Sequence, residues 1–365
     1  MLNLKDLLDK EQKLLHELQF RDTLKSAEYH FAIDFDFDGF FEEHLIGVLF
    51  EKIKLLSAEI DFVSFKFGCS WPILCDAEKS HLKFSIQSPL IKRIESELAK
   101  TFVAGRGDVQ FLVDFNKKLV LIKINPVYVR GRYCKFSREV AQTEFFCNKC
   151  RGKGCWYCND TGHFSEDSVE QLIGKVLVPA FDSRLIIFHG AGREDMDVLM
   201  LGKGRPFIVE LLLPRRRSVD LEAAEKKINS EFKGLISVNS LESCSVHDVA
   251  PLKDTFHDKI YSALVVSDKK VDLSKIPLNK ELDVVQTTPT RVAKRRADLD
   301  RKKKVTIIST TKLSDNEFVL KLKTSHGTYV KEFISGDDKK TSPSISSFTG
   351  VNCTCVLLDV MEICD

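Results

Sequence analysis

Four closely spaced cysteines, Cys147-x2-Cys150-x4-Cys155-x2-Cys158, constrain this chain more than any other feature. Each Cys-x2-Cys pair can turn two thiolates toward one ion, and four thiolates form the tetrahedral donor set that suits zinc. Gly152 and Gly154 give the spacer the backbone freedom to fold back on itself. A catalytic zinc keeps one ligand position open. Four cysteines leave none, so the spacing predicts a structural zinc with no part in catalysis. The seven other cysteines (Cys69, Cys75, Cys134, Cys244, Cys353, Cys355 and Cys364) are scattered. They are expected as buried small hydrophobes in a reducing compartment rather than as a disulfide framework.

The cluster also marks a break in patterning. Upstream, Leu4, Leu7, Leu8, Leu14, Leu15 and Leu18 fall at helical spacing, and a second helical pattern runs from about Phe40 to Leu56. Phe31, Ile33, Phe35 and Phe37 alternate as in a strand. So do Val109, Phe111, Val113 and Phe115, then Val120, Ile122 and Ile124 across the Asn116-Lys117-Lys118 turn. Downstream, Asp167 and Glu170 are placed to cap a helix through Lys175. Strand patterns follow at 185–188, 207–213, 260–266, 305–309, 318–322 and 351–357, with helices near 221–232 and after Gly327. The expected fold class is α+β. It comprises an N-terminal α+β domain over 1–135, a zinc-binding connector over 136–164, and a C-terminal mixed sheet with flanking helices over 165–365.

Composition excludes several classes. With 365 residues, 43% hydrophobic and 30% charged, the chain can bury sizeable cores and does not resemble a disordered or collagenous sequence. Its opening carries Lys5, Asp6, Asp9, Lys10 and Glu11, and no apolar run approaches membrane-spanning length. Neither a secretory signal nor a membrane partner is expected. A net charge of +2 leaves the question of an RNA partner to how the charge is distributed. Arg215-Arg216-Arg217 form one cationic run, and Arg291, Lys294, Arg295, Arg296 and Arg301 to Lys304 form another just before a strand. Such runs suit phosphate contacts, although a solvated charged face has the same composition.

The segment Gly190-Ala-Gly192-Arg193-Glu194-Asp195-Met196-Asp197-Val198 follows a strand pattern. It makes a poor dinucleotide loop, because the third glycine of that fingerprint would fall at Asp195 and no helical pattern follows. An Arg-x-Asp at a strand end can instead hold a carboxylate ionised and oriented as a nucleophile or base. Alone, the triplet would more readily make a surface ion pair. It is not alone. Together with Leu201-Gly-Lys-Gly-Arg-Pro-Phe207 it resembles the signature of the archaeal and eukaryotic tRNA pseudouridine synthases of the tenth class. The family's further motifs recur in order: Tyr133-Cys-Lys-Phe-Ser-Arg138, Tyr261-Ser-Ala-Leu264, Thr288-Pro-Thr-Arg-Val292 with Arg295-Arg-Ala-Asp298, and Gly327-Thr-Tyr-Val-Lys-Glu-Phe333. The likeness runs from about Arg130 to the end of the chain. Leu199 departs from it where the family often has arginine, and Lys294 stands where a histidine is usual.

The resemblance implies roles residue by residue. Asp195 falls at the family's nucleophile on uridine and Arg193 at its arginine. Tyr261 matches the tyrosine that stacks on the target base, Tyr329 the tyrosine that lines the pocket, and Lys331 the basic residue that pairs with the aspartate. By pattern alone, Tyr261 would be a core tyrosine, and Tyr329 and Lys331 a helix start and an exposed lysine. The family further implies tRNA as partner, uridines 54 and 55 of the TψC arm as targets, and an RNA-binding N-terminal domain of the THUMP type.

Pseudouridine formation detaches uracil from C1′, rotates it and rejoins it through C5, with no redox change and no organic cofactor. The target base must leave the helix stack, where an aromatic side chain can hold it at about 1–3 kcal/mol per stacked base. Asp195 would attack C6 or C1′, and Arg291, Arg295 and Arg296 would hold the RNA backbone. The competing function is a non-catalytic tRNA-binding or folding protein on the same architecture. A zinc deaminase would need His-x-Glu with Pro-Cys-x-x-Cys, and neither is present. An intracellular monomer is expected, in the cytoplasm and also the nucleus.

Overall fold

The computed structural model describes residues 31–35, 42–71, 76–144, 146–147, 149–163, 167–290 and 297–364. The leading leucine pattern, Cys75, and the cationic residues Arg291, Lys294, Arg295 and Arg296 lie outside them. The chain divides into two compact units, one of Met1–Val127 with Val178–Leu185 and Leu211–Val219, the other of Tyr128–Leu177, Ile186–Glu210 and Asp220–Asp365.

In the first unit, strands β1 (Phe31–Asp34), β2 (Ser64–Ser70), β3 (Thr101–Phe102), β4 (Val109–Asp114) and β5 (Leu119–Ile124) form one sheet in the order β1-β5-β4-β2-β3. Side chains of β4 and β5 alternate between fully and partly buried, as a strand with one face on a core requires. Helix α1 (Glu42–Ser57) supplies Leu45, Leu49, Ile53 and Leu56 at steps of four, four and three, a continuous buried stripe. After α2 (Asp76–Leu82) and a π-helical turn, α3 (Ser88–Leu98) adds Leu90 and Ile94. Phe50, Phe65 and Phe111 fill the core between them, each worth about 1.5–3 kcal/mol on burial.

The first cationic run belongs to this unit's own structure. Arg217 lies 3.4 Å from Asp108, donates to the Asp108 carbonyl at 2.8 Å and bonds the Asn125 carbonyl. Arg215 lies 3.3 Å from Glu59. Of the three arginines, Arg216 is the exposed one. The run is therefore not a continuous phosphate-facing surface.

The second unit is a ten-stranded mixed sheet. Its strands are β6 (Val127–Lys135), β7 (Leu185–Gly190), β8 (Leu199–Leu212), β9 (Ile236–Cys244), β10 (Lys259–Ser267), β11 (Glu281–Gln286), β12 (Arg301–Lys312), β13 (Glu317–Thr324), β14 (Thr341–Ser342) and β15 (Cys353–Ile363). The order is β14-β11-β12-β13-β10-β15-β8-β6-β9, with β7 beside β8. From β14 to β15 the neighbouring strands pair antiparallel, as do β6 and β9, while β15 runs parallel to β8. Helices α4 (Val169–Ala180), α5 (Leu221–Glu231), α6 (Val249–Asp254), α7 (Val330–Ser335) and α8 (Ile345–Thr349) are set among the strands.

Several expectations are corrected here. Ser168, not Asp167, caps α4, accepting from the Gln171 N–H at 3.2 Å, while Asp167 pairs with Lys175 at 2.7 Å and Glu170 is buried. Arg301 to Lys304 open strand β12 rather than precede it. Of the scattered cysteines described, Cys134 and Cys353 are buried, while Cys69, Cys244, Cys355 and Cys364 are only partly so. Burial nonetheless pushes the Cys69 thiol up to about 12 and Cys244 and Cys355 to about 11, which keeps them neutral.

The four clustered cysteines converge as their spacing predicts. Their sulfurs all lie within 4.8 Å of one another, with Cys147–Cys155 at 3.8 Å and Cys150–Cys158 and Cys155–Cys158 at 3.7 Å. A regular tetrahedron with zinc–sulfur bonds of about 2.3 Å has edges of about 3.8 Å, so the donor set fits that ion. Gly152 and Gly154 both take left-handed backbone in the spacer.

Candidate active site

The segment after β7 is held from beneath by side chains that precede or follow it by many residues. Arg205 of β8 donates to the Ala191 carbonyl at 2.7 Å, and Gln142 to the Gly192 carbonyl at 3.0 Å. Lys135, at the end of β6, donates to the Met196 carbonyl at 2.6 Å, and Arg138 to the Asp197 carbonyl at 2.6 Å. Four carbonyls of one short segment thus end on four fixed donors, which leaves the backbone little freedom.

Glu194 turns inward between two exposed neighbours, Arg193 and Asp195. Its carboxylate accepts from the Tyr133 hydroxyl at 2.7 Å and lies 2.8 Å from the Arg205 guanidinium, with both side chains of this ion pair at most 2% exposed. Gln142 donates to the Tyr133 hydroxyl at 2.8 Å and closes the network. Burial pushes the Arg205 guanidinium down, yet Glu194, Tyr133 and Tyr261 together outweigh it and hold the group above its ordinary range. Burial, with Glu194 beside it, pushes the Tyr133 phenol well up, so it stays a donor.

The glycine pair in 201–207 has a steric cause at Gly202. Between Ile260 and Tyr261 the register of β10 on β15 slips from Glu362 to Val360, so Met361 is the extra residue of a bulge. Gly202 sits against it with φ of 64°, and a Cβ there would lie 2.1 Å from the Met361 carbonyl oxygen. Only glycine lets β8 approach the bulge so closely. The bulge lies beside Tyr261, at the point where that strand meets the cavity.

That cavity, of about 790 Å³, is walled by Gly192, Arg193, Glu194 and Asp195 on one side and by Tyr261, Tyr329 and Lys331 on others. The structure thus brings Asp195, Arg193, Tyr261, Tyr329 and Lys331 to one cavity. Tyr261 is half-buried, and burial pushes its phenol up to about 12. Tyr329 is fixed through its backbone: Gln286 accepts from its N–H and donates to its carbonyl, each at 2.9 Å, just where α7 begins. Lys331 then reaches the aspartates, its ammonium 2.8 Å from Asp197 and 3.9 Å from Asp195. It therefore sits closer to Asp197 than to the residue with which it was expected to pair. Burial pushes the Asp197 carboxyl up, but Lys331 and further contacts outweigh it and hold the group below its ordinary range.

The cavity is more basic than the motifs alone indicate, because Arg301, Lys303 and Lys259 also line it. Residues unassigned on sequence grounds, notably Lys135, Glu194, Arg205, Lys259 and Gln286, do most of the positioning. All are buried polar side chains. For Lys135, Arg205, Lys259 and Gln286 the signal was a charge or amide at the apolar phase of a strand, which an ordinary core does not tolerate without a partner, whereas Glu194 lies in the loop after β7.

Comparison with known proteins shows the family. A family model described as Pus10, C-terminal, matches residues 128–364. The tRNA pseudouridine synthase Pus10 of Methanocaldococcus jannaschii is 39% identical over 90% of this chain and 74% of its own length. That of Korarchaeum cryptofilum is 34% identical over 89% of this chain and 91% of its own length. Among solved structures, a Cbf5-Nop10-Gar1 complex aligns at 17% identity over 51% of this chain and 43% of that one, with a TM-score of 0.30 that adds nothing to the fold assignment. The protein class is that of the pseudouridine synthases, which are isomerases. The chain belongs to the Pus10 family.

Proposed function

We propose that this enzyme converts uridine to pseudouridine in the TψC arm of tRNA, at position 55 alone or at both 55 and 54, with Asp195 as nucleophile. The observation that carries this reading is the placing of Asp195 on the wall of a cavity shared with Tyr261, Tyr329 and Lys331. A uridine flipped into the cavity stacks on Tyr261, with the Lys331 ammonium 3.9 Å from the Asp195 carboxylate. Asp195 then attacks C6 or C1′ as the C1′–N1 bond breaks. The uracil rotates, C1′–C5 forms, the bond to Asp195 breaks and returns the free carboxylate, C5 gives up its proton and N1 gains one, so the product is an isomer of the substrate. Arg193 at the cavity wall, with Arg291, Arg295 and Arg296, contacts the RNA. The first unit serves as an RNA-binding domain of the THUMP type, and Cys147, Cys150, Cys155 and Cys158 hold a structural zinc that takes no part in the chemistry.

The test is single-turnover conversion of an unmodified tRNA transcript, with pseudouridine mapped by position. Asp195→Asn keeps the shape and removes the anionic attacking oxygen, so conversion should fall by at least about 10³-fold while tRNA binding persists. A variant that converts at near the wild-type rate would refute the assignment. For the metal, protein prepared without chelator should contain one zinc per chain, and Cys150→Ser should release it. Metal-free wild-type protein that folds normally would remove zinc from the proposal.

A further inference from the structure

The corner of the cavity opposite Asp195 in sequence gathers cations without gathering carboxylates. Lys259 opens β10 and is buried, with its ammonium donating to the His257 carbonyl at 3.1 Å. Lys303 of β12 is half-buried and donates to the His326 carbonyl at 2.7 Å. Arg301, two residues earlier and so on the same face of the strand, is held by the Thr288 hydroxyl at 2.8 Å and the Leu299 carbonyl at 2.9 Å. Among the described residues, neither lysine has a carboxylate oxygen within 4.0 Å. Asp258, which acts on Lys259 from the next position, lies 3.3 Å from Lys323 instead.

Mutual repulsion is felt at His326, Lys303 and Lys259. Burial first, and then Lys259, Lys303, His257 and Arg205, push the His326 imidazole below its ordinary range. Burial and Arg301 push Lys303 down as well. Cations assembled at a cavity wall with only neutral acceptors are stabilised by an anion placed among them.

An aromatic surface stands beside them. Phe256, in the link between α6 and β10, is 76% exposed. Its ring meets that of His326, which lines the cavity, with centroids 4.7 Å apart and planes at 44°. A large apolar ring left in water at the edge of a basic cavity is the usual arrangement of a base-stacking platform.

We infer that this corner is a subsite for the RNA nucleotide flanking the target uridine: Lys259, Lys303 and Arg301 take its phosphate, and the Phe256–His326 pair stacks on its base. The inference rests on the function proposed above and adds to it which neighbour of the target is gripped, and by what. An acidic protein segment would satisfy the lysines but leave the aromatic pair without its preferred partner.

The experiment uses the full chain and a fluorescently labelled tRNA transcript. Phe256→Ala should weaken binding about tenfold, and Phe256→Trp should restore it. Lys303→Gln should lower the slope of log affinity against log salt by roughly 0.7 to 0.9, the loss of one phosphate contact. Transcripts with a single abasic residue on either side of the target then locate the base. At one of the two sites, the wild type should lose about tenfold and Phe256→Ala nothing further. Thermal unfolding checks that both variants remain folded. If the wild type forms pseudouridine but the variants match its affinity and salt slope, the subsite is refuted and the proposed function stands. A wild type that forms no pseudouridine refutes both.

Discussion

The two units bury different chemistry. Among the described residues, the first unit fully buries one polar side chain, Ser57, which satisfies itself on the Ile53 carbonyl at 2.8 Å within α1. The second unit buries Lys135, Gln142, Glu194, Arg205, Lys259 and Gln286 among others. An apolar core needs no partner to be stable, whereas each buried charge carries a desolvation cost that only a well-placed partner offsets. For Lys135, Gln142, Arg205 and Gln286 those partners are the carbonyls and the carboxylate of one segment, 191–197, and the backbone of Tyr329, while Lys259 donates to the His257 carbonyl. Buried polarity is spent there on holding a surface in one shape, while the first unit uses phenylalanines to hold a sheet.

The most severe way to break that contrast is a paired substitution. Arg205→Met leaves Glu194 buried and unpaired and frees the Ala191 carbonyl, so it should cost about 3–5 kcal/mol. Phe111→Ala, in the first unit, should cost a similar 3–5 kcal/mol through the cavity it leaves. Chemical denaturation measures both. The distinction appears in single-turnover conversion under conditions where each variant is folded: Arg205→Met should also lose most of its rate, because Glu194 and the segment carrying Asp195 shift, while Phe111→Ala keeps its chemical step. Equal retention of rate in both would mean that the buried network serves stability alone.

The same contrast explains what was legible in the sequence. Strands β4 and β5 were readable because one face is apolar and the other is not, and the cysteine turn because thiolate spacing is itself a geometric statement. The run Arg301 to Lys304 hid its strand, since four consecutive cations mask a period of two. In the structure Arg301 and Lys303 line the cavity, while Lys302 and Lys304 are exposed, Lys304 pairing with Glu281. Glu194 was the hardest residue to find. Between Arg193 and Asp195 it looks like a spacer, and nothing local says that it alone turns inward, because its partners Tyr133 and Arg205 are remote in sequence. The family resemblance supplied Asp195, Tyr261, Tyr329 and Lys331, which spacing alone could not have joined.

A smaller effect should separate the two aspartates. Lys331 lies nearer to Asp197 than to Asp195, so Asp197 acts as the anchor that parks the ammonium beside its neighbour. Asp197→Asn should lower single-turnover conversion about tenfold, by loosening that lysine, without abolishing it. If Asp197→Asn abolishes conversion while Asp195→Asn retains it, the nucleophile has been assigned to the wrong carboxylate.

The smallest effect is a pH dependence confined to the basic corner of the second unit. Burial, and then Arg205, push the Lys259 ammonium down to about 8; Lys303 acts in the same direction, while Asp258 and Cys364 oppose it. A phosphate beside Lys259 favours its protonated form, so the RNA complex must hold that proton more tightly than the free protein does. Affinity for tRNA should therefore be full below about pH 8 and fall above it, with log affinity dropping by at most about one per pH unit, since one proton is taken up per complex. Stability of the free protein should move the opposite way. Its folded pKa lies below the unfolded lysine value of about 10.4, so the unfolded chain binds more protons between the two, and stability from this group rises with pH across that window. Titration of tRNA affinity from pH 7 to 9 at fixed ionic strength, for wild type and Lys259→Gln, isolates the effect. An identical pH dependence in the variant would show that another group titrates, and Lys259 would lose its place in the RNA contact.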